Sequence, residues 1–514
     1  MRMMRSAPIY LALAVCGCGS TTLQSPPRQP KPPALMPLPA TTDPLVPVQF
    51  TVRYSEATNL FHWVDNLAES SPSKNRFQYY RDWVGTFGPL TRTEREQLSE
   101  FRSIRTRRFP LNHGIQFDGT TACLPVEDNS LSRRKQLSIA AMNATSVDDL
   151  VARLGAIVEP AEAVALERTI RTFATRFETL WSRAQYLPRI QSEFETFLKQ
   201  PRTQQLLSYY VRFYGLSGEF AEMPTINLVA VFDQEGSTHA EANAHQLLME
   251  VRPEDHPTQQ AQVIFHEFCH DLFHRLTPDK QRDLRSRFYR QGRDGVSAWT
   301  LAYEALPTAL GQGLAKAILT PEEYKWPVRW YHIDEIDLAA KAIYPVVRNE
   351  FFSGRTLFGS LPELIVERVG RTKLASRISP LDQVAEGMIV TPEPVPLALR
   401  NTRFPLPVFP ILQVDPDTPA GSAFIARAEC LPLIGFVTET DLATLAVTKD
   451  EGVAVPHAYS PLPKNAAGIV VPSRRPSGAA ALWVIAVDDS QVQQMVDAVV
   501  QMRGWPSQPV VIRR

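Results

Sequence analysis

Residues 263–273 read Val263-Ile264-Phe265-His266-Glu267-Phe268-Cys269-His270-Asp271-Leu272-Phe273. Residues four apart stand about 40° apart around an α-helix, so both imidazoles project from one face. Two imidazoles so placed can each give a nitrogen to one metal ion, roughly 2.0–2.1 Å away for Zn2+. Glu267 projects beside them. Val263, Ile264, Phe265, Phe268 and Leu272 surround the pair, which puts the histidines at a dry wall rather than in a solvated charge run. The pattern predicts a helix over residues 259–273, with Thr258 as its N-cap and Thr277-Pro278 marking its end. Cys269 within it is most simply a small buried apolar residue.

A catalytic zinc needs a third protein ligand and an open position. One arrangement would place a Gly three residues and a His six residues after His270. Those positions hold Phe273 and Leu276, which excludes it. The other uses a Glu from a following helix, and Trp299-Thr300-Leu301-Ala302-Tyr303-Glu304-Ala305-Leu306 supplies Glu304. An unpaired carboxylate in so apolar a segment is costly, and a metal removes that cost. His274, four residues after His270, is the rival ligand. Three helical histidines in a row splay too far along the axis to close on one ion, so Glu304 is preferred and His274 is given a supporting or surface role.

The pair His266-Glu267-x-x-His270 with Glu304 on a second helix resembles the gluzincin division of zinc metallopeptidases, the thermolysin-like arrangement, over residues 225–350. The resemblance implies Zn2+ held by His266, His270 and Glu304, in a small sheet, an active-site helix and a second ligand-bearing helix. It implies Glu267 as the general base that takes a proton from water acidified by the metal. It also implies a Tyr or His downstream of the third ligand as donor to the developing oxyanion. Tyr331 and His332 are the first candidates and Tyr344 the next. One departure is visible. Enzymes of this type often carry an acidic residue one turn after the third ligand, where this chain has Thr308, so a different group must hold the ligands.

Outward from this centre the texture changes. Residues 225–232, Thr-Ile-Asn-Leu-Val-Ala-Val-Phe, and residues 246–251 are strand candidates, the latter the edge strand expected before the helix. Residues 48–220 are expected to be a helical N-terminal part. Phe61 to Leu67 has helical spacing, as does residues 161–198, with Leu166, Ile170, Phe173, Phe177, Leu180 and Trp181 on one core stripe. Residues 221–376 then form the zincin-like catalytic region. Prolines crowd between Pro392 and Pro410. Short alternating runs follow, such as Ile469-Val470-Val471 and residues 481–487, before a last helix over 490–502. Residues 377–514 are therefore expected to be a C-terminal α/β domain, and no catalytic motif is seen in it. The expected class is α+β.

Composition sets the outer bounds. A chain of 514 residues exceeds one compact core. Lys plus Arg equals Asp plus Glu at 54 each, which argues against a nucleic-acid partner. Basic runs such as Arg105-Thr106-Arg107-Arg108 are solvated clusters. At the N-terminus, Arg2 and Arg5 precede a short apolar stretch from Ala7 to Val15 and then Cys16-Gly17-Cys18-Gly19-Ser20. That stretch is too short to span a bilayer as a helix. It resembles a bacterial lipoprotein signal over residues 1–18. Gly17 before Cys18 is the better match to the small residue required there, so Cys18 is the expected lipidation site, ahead of Cys16. A Pro-rich tether follows over residues 19–47. Cys123 and Cys430 can pair in an oxidising compartment, which spacing alone does not decide. The expectation is a zinc peptidase on the cell envelope, held to the membrane by a lipid anchor and acting on peptides, proteins or cell-wall material. The alternative is a lipid-anchored binding or assembly protein that keeps a zincin-like scaffold without catalysis.

Overall fold

The computed structural model describes residues 47–106, 133–216, 223–232, 239–321, 324, 328–380, 388–391, 412–414, 423, 425, 433–444, 461–474 and 480–514. Cys18, the tether up to residue 46, Cys123 and Cys430 lie outside the described residues.

Among the described residues the first element is β1 (Thr51–Arg53), followed by eight helices. These are α1 (Glu56–Leu67), α2 (Arg76–Phe87), α3 (Arg92–Thr106), α4 (Arg133–Met142), α5 (Val147–Gly155), α6 (Pro160–Trp181), α7 (Leu187–Lys199) and α8 (Pro201–Phe213). Next come β2 (Thr225–Ala230), β3 (Ala240–Asn243) and β4 (Gln246–Val251). Helices α9 (Pro257–His274), α10 (Pro278–Tyr289) and α11 (Gly292–Thr308) lead into a π-helical segment, Ala309–Ala315. The short α12 (Lys316–Leu319), then α13 (Asp334–Phe352) and α14 (Leu361–Arg371), close this region. The C-terminal part holds β5 (Met388–Val390), β6 (Leu412–Val414), β7 (Leu433–Thr438), α15 (Glu439–Thr444), β8 (Ala466–Arg474), β9 (Ala480–Ala486), α16 (Val492–Gln501) and β10 (Val510–Arg513). The described chain is thus mainly helical with small sheets, an α+β arrangement. Among the described residues no helix is long and apolar enough to cross a membrane.

The first sheet runs β1-β2-β4-β3. Strands β1, β2 and β4 are parallel, and β3 pairs antiparallel with β4, Ala242 opposite Leu247. Strand β3 is therefore an edge. Side chains alternate across the sheet. Leu247, Met249 and Val251 face a core shared with Leu187, Phe194, Ala261 and Ile264 of α7 and α9. Glu250 faces the other way, where it meets His62 of α1. The sheet is thus sandwiched between the N-terminal bundle and the helix that carries the His pair. Helix α9 also enters a second core with Tyr210 and Phe213 of α8, Leu301 and Ala305 of α11 and Ile343 of α13.

Local chemistry explains several boundaries. Ser55 caps α1 by accepting from the Thr58 amide, and Glu159 with Glu162 forms a capping box ahead of Pro160 on α6. The core stripe expected on residues 161–198 is present, with Leu166, Ile170, Phe173, Phe177 and Leu180 buried and Trp181 partly so. The single helix is not. It breaks after Trp181 into a 3-10 turn, Ser182–Ala184, and restarts as α7. Pro188 in the first turn of α7 has no N–H to give the preceding turn. The N-cap of α9 is His256 rather than Thr258, with Pro257 at the first helical position. Thr277-Pro278 does follow the end of α9, where Thr277 caps α10 through the Lys280 amide. The edge strand is β3, not the expected 246–251, which lies one strand further in. The C-terminal sheet runs β10-β8-β9-β7-β5-β6, with α16 packing Val492, Met495, Val496 and Val499 onto β8 and β9.

Candidate metal centre

Helix α9 presents His266 and His270 on one face, as their spacing requires. Both are 6% exposed. Their Nε2 atoms stand 3.2 Å apart. Helix α11 crosses α9 and brings Glu304, 9% exposed, against them. Its Oε2 lies 3.3 Å from His266 Nε2 and its Oε1 3.6 Å from His270 Nε2. These three side chains form the one group of three or more metal-ligand types found among the described residues.

Those spacings provide a test of fit. Donors roughly 2.0–2.1 Å from a tetrahedral ion stand ~3.3–3.4 Å from one another. The measured separations of 3.2, 3.3 and 3.6 Å lie around that value, with the two to Glu304 reaching its two different oxygens. The three residues could therefore hold a metal ion. Charge agrees with shape. Burial works against the Glu304 charge, but the His270 and His266 imidazoles facing it prevail and hold its carboxyl well below the usual range.

Neighbours fix the ligands. The Tyr331 hydroxyl donates to Glu304 Oε2 at 3.1 Å, and its ring stacks on His266 with centroids 6.0 Å apart. Tyr303 packs its ring on His270 at 4.8 Å. Thr308, at the position where an acidic residue was missing, is buried with its hydroxyl unpartnered. Tyr331 supplies the hold on Glu304 instead. Glu267 is 8% exposed and points to β3, where its carboxylate accepts from the Ala242 amide. Burial pushes that carboxyl up to about 7, with Glu304 and Glu241 adding to the rise and His266 and the amide opposing it.

The other candidates separate cleanly. His274 lies outside the ligand group, its Nε2 buried without a partner, and burial together with Lys135 keeps its imidazole neutral. His332 is exposed and lies over the Tyr331 ring at 4.4 Å. Burial of part of its ring, with Lys74 nearby, lowers it to about 4. Among the described residues, Tyr344 has no hydrogen bond or ring contact with the ligand residues. It packs on Trp330 at 5.3 Å and shares a hydrogen bond with Tyr324. Cys269 is a fully buried free thiol. Tyr303 and Ala242 were not singled out from sequence. Tyr303 stood in view beside Glu304, while a backbone amide leaves no residue-type signal. No family model matches this chain, no curated protein is similar to it, and no solved structure matches it.

Proposed function

We propose that this chain is a zinc-dependent hydrolase that cuts peptide bonds and is held to a bacterial envelope by a lipid on Cys18. The observation that carries the hydrolytic reading is the convergence of His266, His270 and Glu304 into one group able to hold a metal ion, with Glu267 beside them. A scaffold would have no use for a buried carboxylate at position 267. Two imidazoles and one carboxylate suit Zn2+. Zinc held there would polarise a substrate carbonyl and lower the pKa of water into the neutral range.

The chain's own groups supply the remaining work. The Glu267 carboxylate, oriented by the Ala242 amide, accepts the proton of the attacking water and returns it to the leaving amine. A carboxyl poised near neutrality suits both halves of that transfer. The Tyr331 hydroxyl, which donates to Glu304 in the resting site, turns from that carboxylate to donate to the oxygen on which charge develops. Among the described strands β3 has one hydrogen-bonded neighbour, and it lies against α9, so an extended peptide can add along its outer side.

The test pairs metal content with hydrolysis. Glu267→Gln is expected to keep about one zinc per chain and to lose activity by ~10²–10⁴-fold. His266→Ala is expected to lose the metal itself. Cleavage of a broad peptide library by Glu267→Gln at the parent rate removes the assigned role. Bound zinc with no hydrolysis by any form favours the scaffold. Mass spectrometry of the mature N-terminus tests the lipid on Cys18, and an unmodified N-terminus beyond it ends that part of the proposal.

A further inference from the structure

We infer that Gly311 is a positioning residue for the metal centre, which it serves through the π-helical turn that carries it. The inference rests on the reading of His266, His270 and Glu304 as metal ligands. The segment Ala309–Ala315 continues α11 directly, so it starts little more than one turn after Glu304. A π-helix is rare, occurs mostly as a single widened turn within an α-helix, and is frequent at functional sites. Here one of its carbonyls has an outside partner. The Tyr210 hydroxyl, from α8, donates to the Leu310 oxygen at 2.7 Å in a buried setting.

The widened turn seats Gly311 against the helix of the His pair. A Cβ at this position would stand 3.1 Å from both N and Cβ of His266, and inside the van der Waals shell of the Gln262 carbonyl oxygen. Gln262 and His266 are one turn apart on α9. The obstacles are backbone and a ligand's own root, so no rotamer change relieves the clash. Helix α9 and the π segment would have to separate. Such a separation acts on His266, whose Nε2 must stay 3.3 Å from Glu304 Oε2 on the same continuous helix. Shifts of about half an ångström are enough to spoil a ligand constellation. Gly313, two residues on, provides the contrast. The atoms nearest a Cβ there are the Tyr344 ring at 2.7 and 2.8 Å and Trp330 at 3.1 Å, none of them on α9.

The experiment compares Gly311→Ala with Gly313→Ala in the purified full chain. Zn2+ affinity is measured by competition with a chromogenic chelator. The visible spectrum of the Co2+-loaded chain reports ligand geometry, and circular dichroism with the metal-free Tm reports folding. Gly311→Ala is expected to fold, to bind Zn2+ about 10–100-fold more weakly and to shift the Co2+ spectrum. Gly313→Ala is expected to lower Tm at least as much while affinity and spectrum stay those of the parent. Should Gly311→Ala fail to fold, Tyr210→Phe carries the test, with a smaller loss of affinity and a spectral shift expected. Parental affinity in Gly311→Ala, equal losses in the two glycine variants, or parental behaviour of Tyr210→Phe in the second case overturns the inference. A parent chain with no affinity for either ion overturns the metal centre itself, and this inference with it.

Discussion

Glu304 faces the Nε2 atoms of His266 and His270, and it also accepts from the Tyr331 hydroxyl. This hydroxyl donates directly to one member of the ligand set, which makes Tyr331→Phe an informative single change. The ring, stacked on His266, should stay in place because Phe keeps its shape. Loss of the hydroxyl removes one hold on Glu304, so zinc affinity is expected to fall about tenfold. If the same hydroxyl donates to the developing oxyanion, kcat falls by ~10²–10³ with little change in KM. His332→Ala is expected to stay within a few-fold of the parent, since Arg329 donates to the main-chain carbonyl at 332, not to the ring. Steady-state kinetics of both variants check this. Parental kcat in Tyr331→Phe alongside a large loss in His332→Ala transfers the role to His332.

At the scale of elements, the N-terminal bundle is tied by a buried ion pair between helices α1 and α3. Arg105 donates to both Asp65 oxygens, at 2.7 and 2.9 Å, and to Ser138 of α4 at 2.7 Å. Arg105→Met leaves Asp65 as a lone buried charge and should cost about 3–5 kcal/mol in urea unfolding. The double change Arg105→Met with Asp65→Leu should recover most of that. No recovery would show that the pair orders the bundle in some way beyond mutual neutralisation. This pairing joins residues distant in sequence, and it corrects the reading of Arg105 as part of a solvated basic cluster, because Arg105 is 2% exposed with its charge met by Asp65. What the sequence does announce is periodicity. The stripe from Leu166 to Leu180 and the His pair of α9 were both legible because one helix face fixes their spacing. Strand β3 was not legible, because Ala240-Glu241-Ala242-Asn243 has low strand propensity and extends only by pairing with β4. The π segment was hidden for a similar reason. Its two glycines weaken a helix, and their purpose is visible only once α9 and Tyr344 lie against them.

For the molecule as a whole, the sheet and the bundle enclose a set of charges whose titration sets the response to acid. Burial raises Asp65, Glu241 and Glu250, but Arg105, Arg134 and His62 respectively outweigh it, leaving all three carboxyls below their usual range. His239, beside them, is lowered by burial. Each of these groups has a folded pKa depressed below its unfolded value. The stability each contributes is full above its unfolded pKa and is lost as pH falls toward its folded pKa. For His239 the loss begins below about 6.5, and for the carboxyls below about 4. Glu267 runs the other way. Its carboxyl is raised to about 7, so its contribution is full at acid pH and is lost as pH rises through 7. The measurement therefore belongs in the metal-free Glu267→Gln chain, where that opposing contribution is gone. Urea midpoints from pH 8 down to pH 3.5 should hold steady to about 6.5, then fall, and fall more steeply below about 4. One excess proton in the unfolded chain corresponds to ~1.4 kcal/mol per pH unit. His239→Gln should abolish part of the first decline and spare the second. A flat response between pH 7 and 5 would mean that His239 is protonated at no cost in the folded chain, and the enclosed charge set would then have to include a partner for it.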